Sequence, residues 1–546
     1  MKVKFKQNKL NNTREEFKVL KPIMYFLFAS VLIYGIIRVI NLIWVCDDIF
    51  ITFRYADNFI QGKGIVFNEG ERVEGYTHFL WFVLLSAFRF FNLDLEQISI
   101  WLGIASYLGT IAIFLFISFR TADRKILIIP FTALALSVNY DFAVWATGGL
   151  ETSFITFLLS LTFYIYFSKL TRIKKHLITG LILTLCLMTR PDAALFYLYA
   201  NLLLLLSFIY NKTSLRESLK ELMLINVSFI VIYIPYFLWR YNYYGDIFPN
   251  TYYAKLANES YYEQGFLYIW TFISSYKTSL ISLAGIFLIA KYFFQKKPLI
   301  DKLKNIFDDK ELTAMVILFL SVLIYTIFYV ARVGGDFMFA RFIIPVLPFI
   351  YFTAEVSLKK LLTDYKKGLL IIFLVILVLI YFEKNIRDDN FLKNENGKLV
   401  RKSVDETNGI SDERLYYMSY WDAFPKSKNL YEGVVTEGKI LNPYFKDLDI
   451  TVVIGGARNY MGYYANFKNI IVDNGLTDKF IAKQQIETRG RIGHEKYATL
   501  DYLIKRKTVL GFYDKFRNNT NDKPYCVAYV RLKELGFKNE SRNYLL

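Results

Sequence analysis

Two neighbouring carboxylates, Asp47 and Asp48, follow directly on the first long apolar stretch of the chain. In helical register Asp47 shares one face with Ile51, Arg54 and Asn58, which predicts an amphipathic helix whose acid and base point away from lipid. An aspartate at a helix start is also a common N-cap, favoured by the helix dipole. Two aspartates in a row, with an arginine on the same face, favour a chemical role over capping alone.

More polar residues lie between the later apolar stretches. Ionisable groups at membrane depth are costly and by default indicate a site, although each one alone could simply end a loop in solvent. Arg341 could also extend along the lipid surface with its charge in water. The candidates are Glu74 and Tyr76 in the first loop, Glu151 in GGLET, Arg190 and Asp192 in TRPDA, Arg240, Asp246, Asn250, Tyr252, Tyr253 and Lys255 in WRYNYYGDIFPNTYYAK, and Arg332, Asp336 and Arg341 in ARVGGDFMFAR.

This combination of carboxylates, arginines and aromatic side chains suits the transfer of a sugar from a lipid-linked phosphate. A carboxylate accepts the proton of the attacking hydroxyl. Cations stabilise the departing phosphate, which gains charge in the transition state and needs no general acid. We predict Asp47 as the base, because Arg54 lies on the same helical face about 10 Å away. Asp48 would then orient the acceptor or keep Asp47 ionised.

The metal requirement stays open at this point. Asp47, Asp48 and Glu151 could share a divalent cation through oxygen ligands, or could act without one. The three histidines and three cysteines lie far apart and have no zinc-ligand spacing, while a bridge between Cys46 and Cys526 remains an option. No dinucleotide fingerprint, Walker loop or nucleophile elbow occurs. No other cofactor is therefore predicted.

The elements that must position these residues are those of a polytopic membrane protein. The chain of 546 residues is 54% hydrophobic, with a net charge of +18 and a mean hydropathy of +0.29. Its basic residues lie in short loops, as membrane topology predicts, and form no single block that would indicate a nucleic-acid partner. Several apolar runs reach the roughly 18–20 residues that cross a bilayer. They are Ile23–Trp44, Ile98–Ser118, Leu222–Trp239, Thr313–Val330 and Gly368–Phe382.

The distribution of basic loops predicts the topology. By the positive-inside rule these loops are cytoplasmic, and the loops that carry the candidate residues face outward. We count about eleven crossings; Phe79–Phe91 is short enough to be re-entrant or interfacial, and the count becomes twelve or thirteen if it crosses. The basic loops are Arg120–Lys125, Lys169–His176, Asn211–Lys220, Lys291–Lys310 and Lys359–Lys367.

The predicted organisation has three parts. Residues 1–21 form a cytoplasmic tail, residues 22–383 a helical membrane module whose first outer loop is 46–78, and residues 384–546 an α/β domain outside the membrane. In this last part DITVVIGG and KNIIVDNG predict buried strands. The segment DKFIAKQQIETR has helical spacing.

A basic turn, RGRIGHEK, carries Arg489, Arg491, His494 and Lys496. One interpretation is a solvated surface turn. The other is that the turn folds back over the membrane site, where Arg491 and His494 contact the donor phosphate or the acceptor glycan.

The stretch DDIFITFRYADNFIQGKGIVFNEGERVEGYTHFLW resembles the first outer loop of the terminal β-(1→2)-arabinofuranosyltransferase family of actinobacteria and its wider bacterial relatives. The resemblance continues through GGLET, RPDA, GDIFPNTYYAK, GGDFMFARF, VDNGLTDKFIA and RGRIGHEKYATLDYL, and so covers nearly the whole chain. The turn GGARNYMGYY departs from it, because Arg458, Asn459 and Tyr460 stand where relatives tend to have small residues.

The resemblance implies a multi-helix fold with an active site on the external face of the bacterial plasma membrane. It implies a decaprenyl- or undecaprenyl-phosphate sugar as donor, and Asp47 and Asp48 match the family's acidic pair, which holds the catalytic aspartate. The predicted function is therefore glycosyl transfer to a hydroxyl of a cell-envelope glycan or glycolipid.

Two other functions fit the sequence less well. A flippase for lipid-linked sugars would need ionisable residues along a mid-membrane path, whereas the centres of the clear spans are almost purely apolar. A non-enzymatic surface scaffold would leave the acidic and basic residues of the outward loops unexplained.

Overall fold

The computed structural model of the chain describes residues 22, 25–120, 130–211, 214–294, 309–361, 387–395, 398–419, 430–456 and 458–512. The predicted tail 1–21, the predicted span Gly368–Phe382 and Cys526 lie outside the described residues.

The described part of the chain is mostly helical. Short 3₁₀ or π-helical turns lie at Pro191–Ala193, Phe229–Tyr233, Lys277–Leu283, Thr326–Ala331 and Ile344–Val346. The α-helices are α1 (Tyr25–Asn41), α2 (Ile49–Ile60), α3 (Phe79–Phe90), α4 (Leu95–Arg120), α5 (Phe131–Val138), α6 (Tyr140–Thr147), α7 (Thr152–Phe167), α8 (Arg172–Thr189), α9 (Ala194–Asn211), α10 (Leu215–Ser228), α11 (Ile234–Tyr244), α12 (Asn250–Ala254), α13 (Tyr262–Ser275), α14 (Ala284–Phe293), α15 (Lys310–Tyr325), α16 (Leu347–Leu361), α17 (Glu413–Ser419), α18 (Leu430–Phe445), α19 (Asn459–Ala465), α20 (Lys479–Ala482) and α21 (Leu500–Lys505).

Four helical segments of the described chain are long and apolar enough to cross a membrane: Leu95–Arg120, Pro191–Phe208, Leu215–Tyr244 and Glu311–Ala331. Three of them contain predicted spans, which confirms those predictions and makes the chain a multi-pass membrane protein. The number rises to six if α6–α7 and the α13–α14 segment, bent by 113° and 102°, each count as one span. The predicted total of eleven to thirteen is not reached within the described residues.

The helix α3 covers most of the short apolar stretch of uncertain topology. Its 12 residues extend about 18 Å, less than the roughly 30 Å of a bilayer's hydrocarbon core. That length agrees with the prediction of a re-entrant or interfacial piece.

Local sequence signals explain where several helices begin and end. The side chain of Asp309 accepts hydrogen bonds from the backbone N–H groups of Glu311 and Leu312, which caps α15. Gly245, with φ of 77°, ends α11 in the left-handed conformation that glycine adopts without strain.

The strands lie in the last third of the chain. A two-stranded antiparallel hairpin joins β1 (Leu392–Glu395) to β2 (Lys398–Arg401). A parallel sheet has the order β4-β3-β5 and consists of β3 (Thr451–Ile454), β4 (Asn469–Val472) and β5 (Thr508–Phe512). The strands predicted from DITVVIGG and KNIIVDNG are confirmed as β3 and β4.

The alternation of side chains in β3 and β4 divides the sheet into two apolar faces. Val453 and Ile471 pack with α20 and α21 in a small cluster of their own. Val452 and Ile470 belong to the large core that also contains the membrane helices. The sheet is therefore packed directly onto the helical part of the protein. The predicted boundary near residue 384 remains a prediction.

The helix predicted over DKFIAKQQIETR is much shorter than expected. Asp478 caps α20 by accepting from the N–H groups of Phe480 and Ile481, but the helix ends at Ala482. The ammonium of Lys496 donates to the carbonyl of Ala482 at 2.5 Å. Lys496 thus satisfies the carbonyl at the end of α20. The following residues 483–489 form no helix, although their apolar residues have helical spacing.

Candidate active site

A cavity of about 330 Å³ lies where the loop of residues 46–78, predicted to face outward, meets the ends of several helices. Its wall is formed by the start of α2, the α6–α7 bend, the turn before α9, the α12 region and the segment that follows α15. Ten of the candidate residues line it: Asp48, Tyr76, Glu151, Arg190, Asp192, Tyr252, Lys255, Arg332, Asp336 and Arg341. Residues far apart in sequence thus lie around one cavity.

The bend between α6 and α7 delivers Glu151 to this cavity. Gly149 adopts φ of 81° and lets the chain turn sharply between the two helices. The carboxylate of Glu151 then lies 3.1 Å from Nδ1 of His78 and 3.4 Å from both Nη1 of Arg190 and Nη2 of Arg341. Glu151 is the hub that fixes two guanidinium groups and an imidazole in place.

The 3₁₀ turn before α9 holds a second carboxylate against the same arginine. Arg190 donates to both oxygens of Asp192, from Nε at 2.9 Å and from Nη2 at 3.1 Å. The hydroxyl of Tyr325 also donates to Asp192, at 2.8 Å. This bidentate pair fixes the plane of the guanidinium.

Asp336 organises the opposite wall. Gly335 takes φ of 75°, and a Cβ there would meet the ring of Tyr268 at 2.5 Å, so the close approach requires glycine. Asp336 lies 3.4 Å from Nη1 of Arg341 and 3.9 Å from Nζ of Lys255. With its side chain 22% exposed, Lys255 is more accessible than Arg190 or Arg341.

The formal charges among the described lining residues balance. Four cationic side chains and four carboxylates line the cavity, and three of the cations lie within 4 Å of a lining acid. The fourth, Arg332, donates to the backbone carbonyl of Asn258 at 3.4 Å. The cations are Arg190, Lys255, Arg332 and Arg341, and the acids are Asp48, Glu151, Asp192 and Asp336.

The two neighbouring aspartates have different surroundings. Asp48 lines the cavity, is partly exposed and makes no side-chain capping bond to α2, so the N-cap interpretation does not hold for it. Asp47 is only 3% exposed and does not line the cavity. Its Oδ2 accepts from Nδ2 of Asn459 at 2.5 Å, and its Oδ1 accepts from the N–H of Tyr460 at 3.1 Å. The expectation that Asp47 faces the pocket is wrong, because residues of α19 occupy both its oxygens.

Burial raises the pKa values of both neighbouring aspartates. It raises the pKa of Asp47 to about 8; repulsion from Asp48 adds to the shift, and the hydrogen bonds from Tyr460 and Asn459 oppose it. Burial also raises the pKa of Asp48, against the attraction of Lys255. A raised pKa makes Asp48 a stronger proton acceptor than an exposed aspartate.

Arg54 does not approach the cavity. Its guanidinium donates to the backbone carbonyls of Phe67, Phe467 and Lys468 at 2.7, 2.8 and 2.9 Å, and stacks on the ring of Phe67. The helix α2 is also buried on nearly all sides, not amphipathic on a surface. The prediction that Arg54 shares the pocket of Asp47 is therefore wrong.

Three other predicted residues hold the first outer loop in place outside the cavity lining. Arg240 pairs with Glu74, from Nε at 3.0 Å and from Nη2 at 2.5 Å. Asn250 donates from Nδ2 to the carbonyls of Gly475 and Leu476 at 2.8 and 2.9 Å. The backbone N–H of Asn250 also donates to the carbonyl of Glu74 at 2.9 Å, so both arrangements connect the loop to neighbouring segments.

The RGRIGHEK turn reaches the cavity, but it contributes an apolar residue to the lining and none of its basic ones. Ile492 lines the cavity, whereas Arg491 donates to the carbonyl of Gly409 and the hydroxyl of Ser411 at 3.2 and 2.9 Å. The His494 ring packs edge-on against Phe337, 4.7 Å between centroids. Neither Arg491 nor His494 lines the cavity in this structure.

The proposed divalent-cation ligands do not form a set. Among the described residues, no group of three His, Cys, Asp or Glu side chains is placed to hold a metal ion. The oxygens of Asp47 face Asn459 and Tyr460, and Glu151 is surrounded by the cations described above. Asp47, Asp48 and Glu151 therefore do not fit a shared metal.

Several lining residues were not predicted as site residues. Nε2 of His78 lies 2.7 Å from the Thr52 hydroxyl, and its other nitrogen faces Glu151. The available signal is a histidine between the polar loop and the apolar segment that forms α3. Tyr329 and Thr251 also line the cavity, and their sequence contexts carry no comparable signal.

Comparison with known proteins confirms the resemblance noted from the motifs. The chain is similar to a terminal beta-(1->2)-arabinofuranosyltransferase of Corynebacterium glutamicum, with 24% identity over 527 residues, 84% of this chain and 74% of the relative. It is also similar to a protein of the same name from Mycobacterium tuberculosis, with 28% identity over 247 residues, 43% of this chain and 38% of the relative. No protein-family model matches the chain.

Proposed function

We propose that this protein is a membrane glycosyltransferase that moves a sugar from a polyprenyl phosphate to a hydroxyl of a cell-envelope glycan on the outer face of the membrane. The observation that carries the proposal is the cavity in which Asp48 faces Arg190, Lys255 and Arg341. The names of the two relatives support glycosyl transfer in cell-wall glycan synthesis. They also make an arabinofuranosyl donor the first one to test.

The reaction assigns a role to each side of the cavity. The acceptor oxygen forms a bond to the anomeric carbon, and its proton passes to a carboxylate oxygen of Asp48. The bond between that carbon and the phosphate oxygen breaks, and its electron pair leaves with the polyprenyl phosphate. Lys255, Arg190 and Arg341 stabilise the charge that develops there.

Asp47 is then a positioning residue rather than the base. Because α19 holds its carboxylate, it fixes the chain immediately before Asp48 and the start of α2. Glu151 has a comparable role for the cations, since it touches two arginines at once.

The test uses the purified full chain in liposomes with an isotopically labelled polyprenyl-phosphate arabinofuranose and an envelope glycan acceptor. We expect label in the glycan with the wild type and almost none with Asp48→Asn. Movement of intact donor across the bilayer without any labelled glycan would overturn the proposal and favour a flippase.

A further inference from the structure

A second cavity, of about 230 Å³, lies on another face of α2. Asp48 and Thr52 line the first cavity, whereas Asp57, Asn58 and Gln61 line the second. Its far wall comes from residues 446, 463 and 466–468, next to β4. Asp48 and Asp57 are nine residues apart, which corresponds to about 14 Å along the helix.

The inner wall of this cavity is rigid. Arg54 donates to the carbonyls of Phe467 and Lys468, and Asn58 donates from Nδ2 to those of Val66 and Phe67 at 2.9 and 3.0 Å. These bonds satisfy backbone groups and join the first outer loop to the segment before β4. The cavity is thus built into the fold.

The mouth of the cavity carries polar side chains that are not engaged in this way. In the part of the chain that the structure describes, none of them makes a side-chain hydrogen bond or an ion pair. Both amides and charged groups, the types that bind sugar hydroxyls and their anionic substituents, are present. They are Gln61, Lys63, Glu69, Lys446 and Asn466.

The charge of the cavity is positive once the internal pairs are considered. Asp57 is neutralised by Arg89, whose Nε lies 2.5 Å from it, and also accepts from the hydroxyl of Tyr463 at 2.7 Å. Two lysines, Lys63 and Lys446, then remain against one acid, Glu69, among the unpaired described lining residues. An anionic ligand is favoured over a neutral or cationic one.

We propose that this second cavity is a subsite for an anionic carbohydrate, a glycan residue that bears a phosphate or a carboxylate. It would bind the acceptor glycan away from its reacting end and so hold the chain while the terminal hydroxyl reaches Asp48. This role rests on the proposed function, whereas the binding itself does not require transfer.

The first test measures binding by saturation-transfer NMR, with the full chain in detergent and glucose 6-phosphate as probe. We expect binding that the double variant Lys63→Ala/Lys446→Ala weakens at least about tenfold and that Asp48→Asn leaves unchanged. Lys505→Ala, an exposed lysine of α21, is the matched control. Equal binding of glucose and glucose 6-phosphate, or unchanged binding by the double variant, would overturn the subsite.

The second test separates this inference from the proposed function. With a polymeric anionic acceptor, the double variant should raise the acceptor KM about tenfold at unchanged kcat, and with a short neutral acceptor it should change neither. An equal rise in KM for both acceptors would overturn the remote role. Absence of transfer by the wild type, together with lysine-dependent binding of the probe, would reject the proposed transferase and retain the anion site.

Discussion

Asn459 donates a hydrogen bond of 2.5 Å from Nδ2 to Oδ2 of Asp47, across 412 residues of sequence. The contact fixes the loop of residues 46–78 to the first residue of α19. It also decides which aspartate faces the cavity, because a carboxylate held on both oxygens cannot turn toward a substrate. Of the two aspartates, only Asp48 lines the cavity.

Asp48→Asn should reduce transfer by about 10²–10⁴-fold, because the amide keeps the shape of the side chain and removes the proton acceptor. Initial rates with saturating donor measure this. Asp447→Asn, at an exposed position, is the control and should keep the wild-type rate. If Asp47→Asn abolishes transfer while Asp48→Asn retains it, the roles assigned to the two residues are reversed.

Asn459→Leu should lower the free energy of unfolding by about 1–3 kcal/mol, because Asp47 loses a buried hydrogen bond. Chemical denaturation in detergent measures the loss, and Asn258→Leu at an exposed loop position is the matched control. In the double variant Asp47→Asn/Asn459→Leu the two costs should not add, since the residues touch. Strict additivity would show that the contact contributes no stability.

Asp47 should make stability depend on pH. Its pKa is about 8 in the folded protein against an ordinary 3.8, so between these values the folded state retains a proton that the unfolded state has lost. The free energy of unfolding therefore falls as pH rises through this window. Asp47→Asn removes the effect, and its melting temperature relative to wild type should increase from pH 5 to pH 8.5. A difference that is constant with pH would contradict the assignment.

Lys255→Gln should lower kcat/KM for the lipid donor by about 10²-fold, because an accessible cation near the departing phosphate is lost. Initial rates at varied donor concentration in mixed micelles test this. Lys483→Gln is the control, since Lys483 pairs with Asp246 at 2.7 Å on the surface and such pairs contribute little. Equal kinetics for Lys255→Gln and wild type would remove Lys255 from the site.

Arg491→Ala should lower the melting temperature without changing the donor KM, because the side chain binds Gly409 and Ser411 rather than the cavity. Thermal unfolding and donor kinetics are measured on the same preparation. A higher KM at an unchanged melting temperature would instead support the contact with substrate that the basic turn suggested.

The sequence was informative where a local pattern determines the structure. Apolar runs of sufficient length predicted the segments that contain α4, α10–α11 and α15, and buried β-branched runs predicted β3 and β4. Glu151, Arg190 and Asp336, which the sequence places at the ends of apolar runs, line one cavity, and their role in a site remains a prediction. These predictions needed no knowledge of partners.

The finer predictions failed where distant backbone groups decide the outcome. Arg54 occupies the expected face of α2, but carbonyls more than 400 residues away take its donors. Asp47 was expected on that face, yet it lies in the turn before α2 and is held by Asn459. The local sequence around Arg54 or Asp47 contains no pattern from which these distant partners could be predicted.

The equal numbers of acids and cations in the first cavity have a consequence for turnover. A cluster with excess positive charge would hold the spent lipid phosphate as firmly as the donor, and product would accumulate on the enzyme. In the proposed reaction, Glu151, Asp192 and Asp336 can pair again with these cations once the sugar has been transferred. The released polyprenyl phosphate, like any soluble anion, would then be held less firmly than by a cluster with excess positive charge.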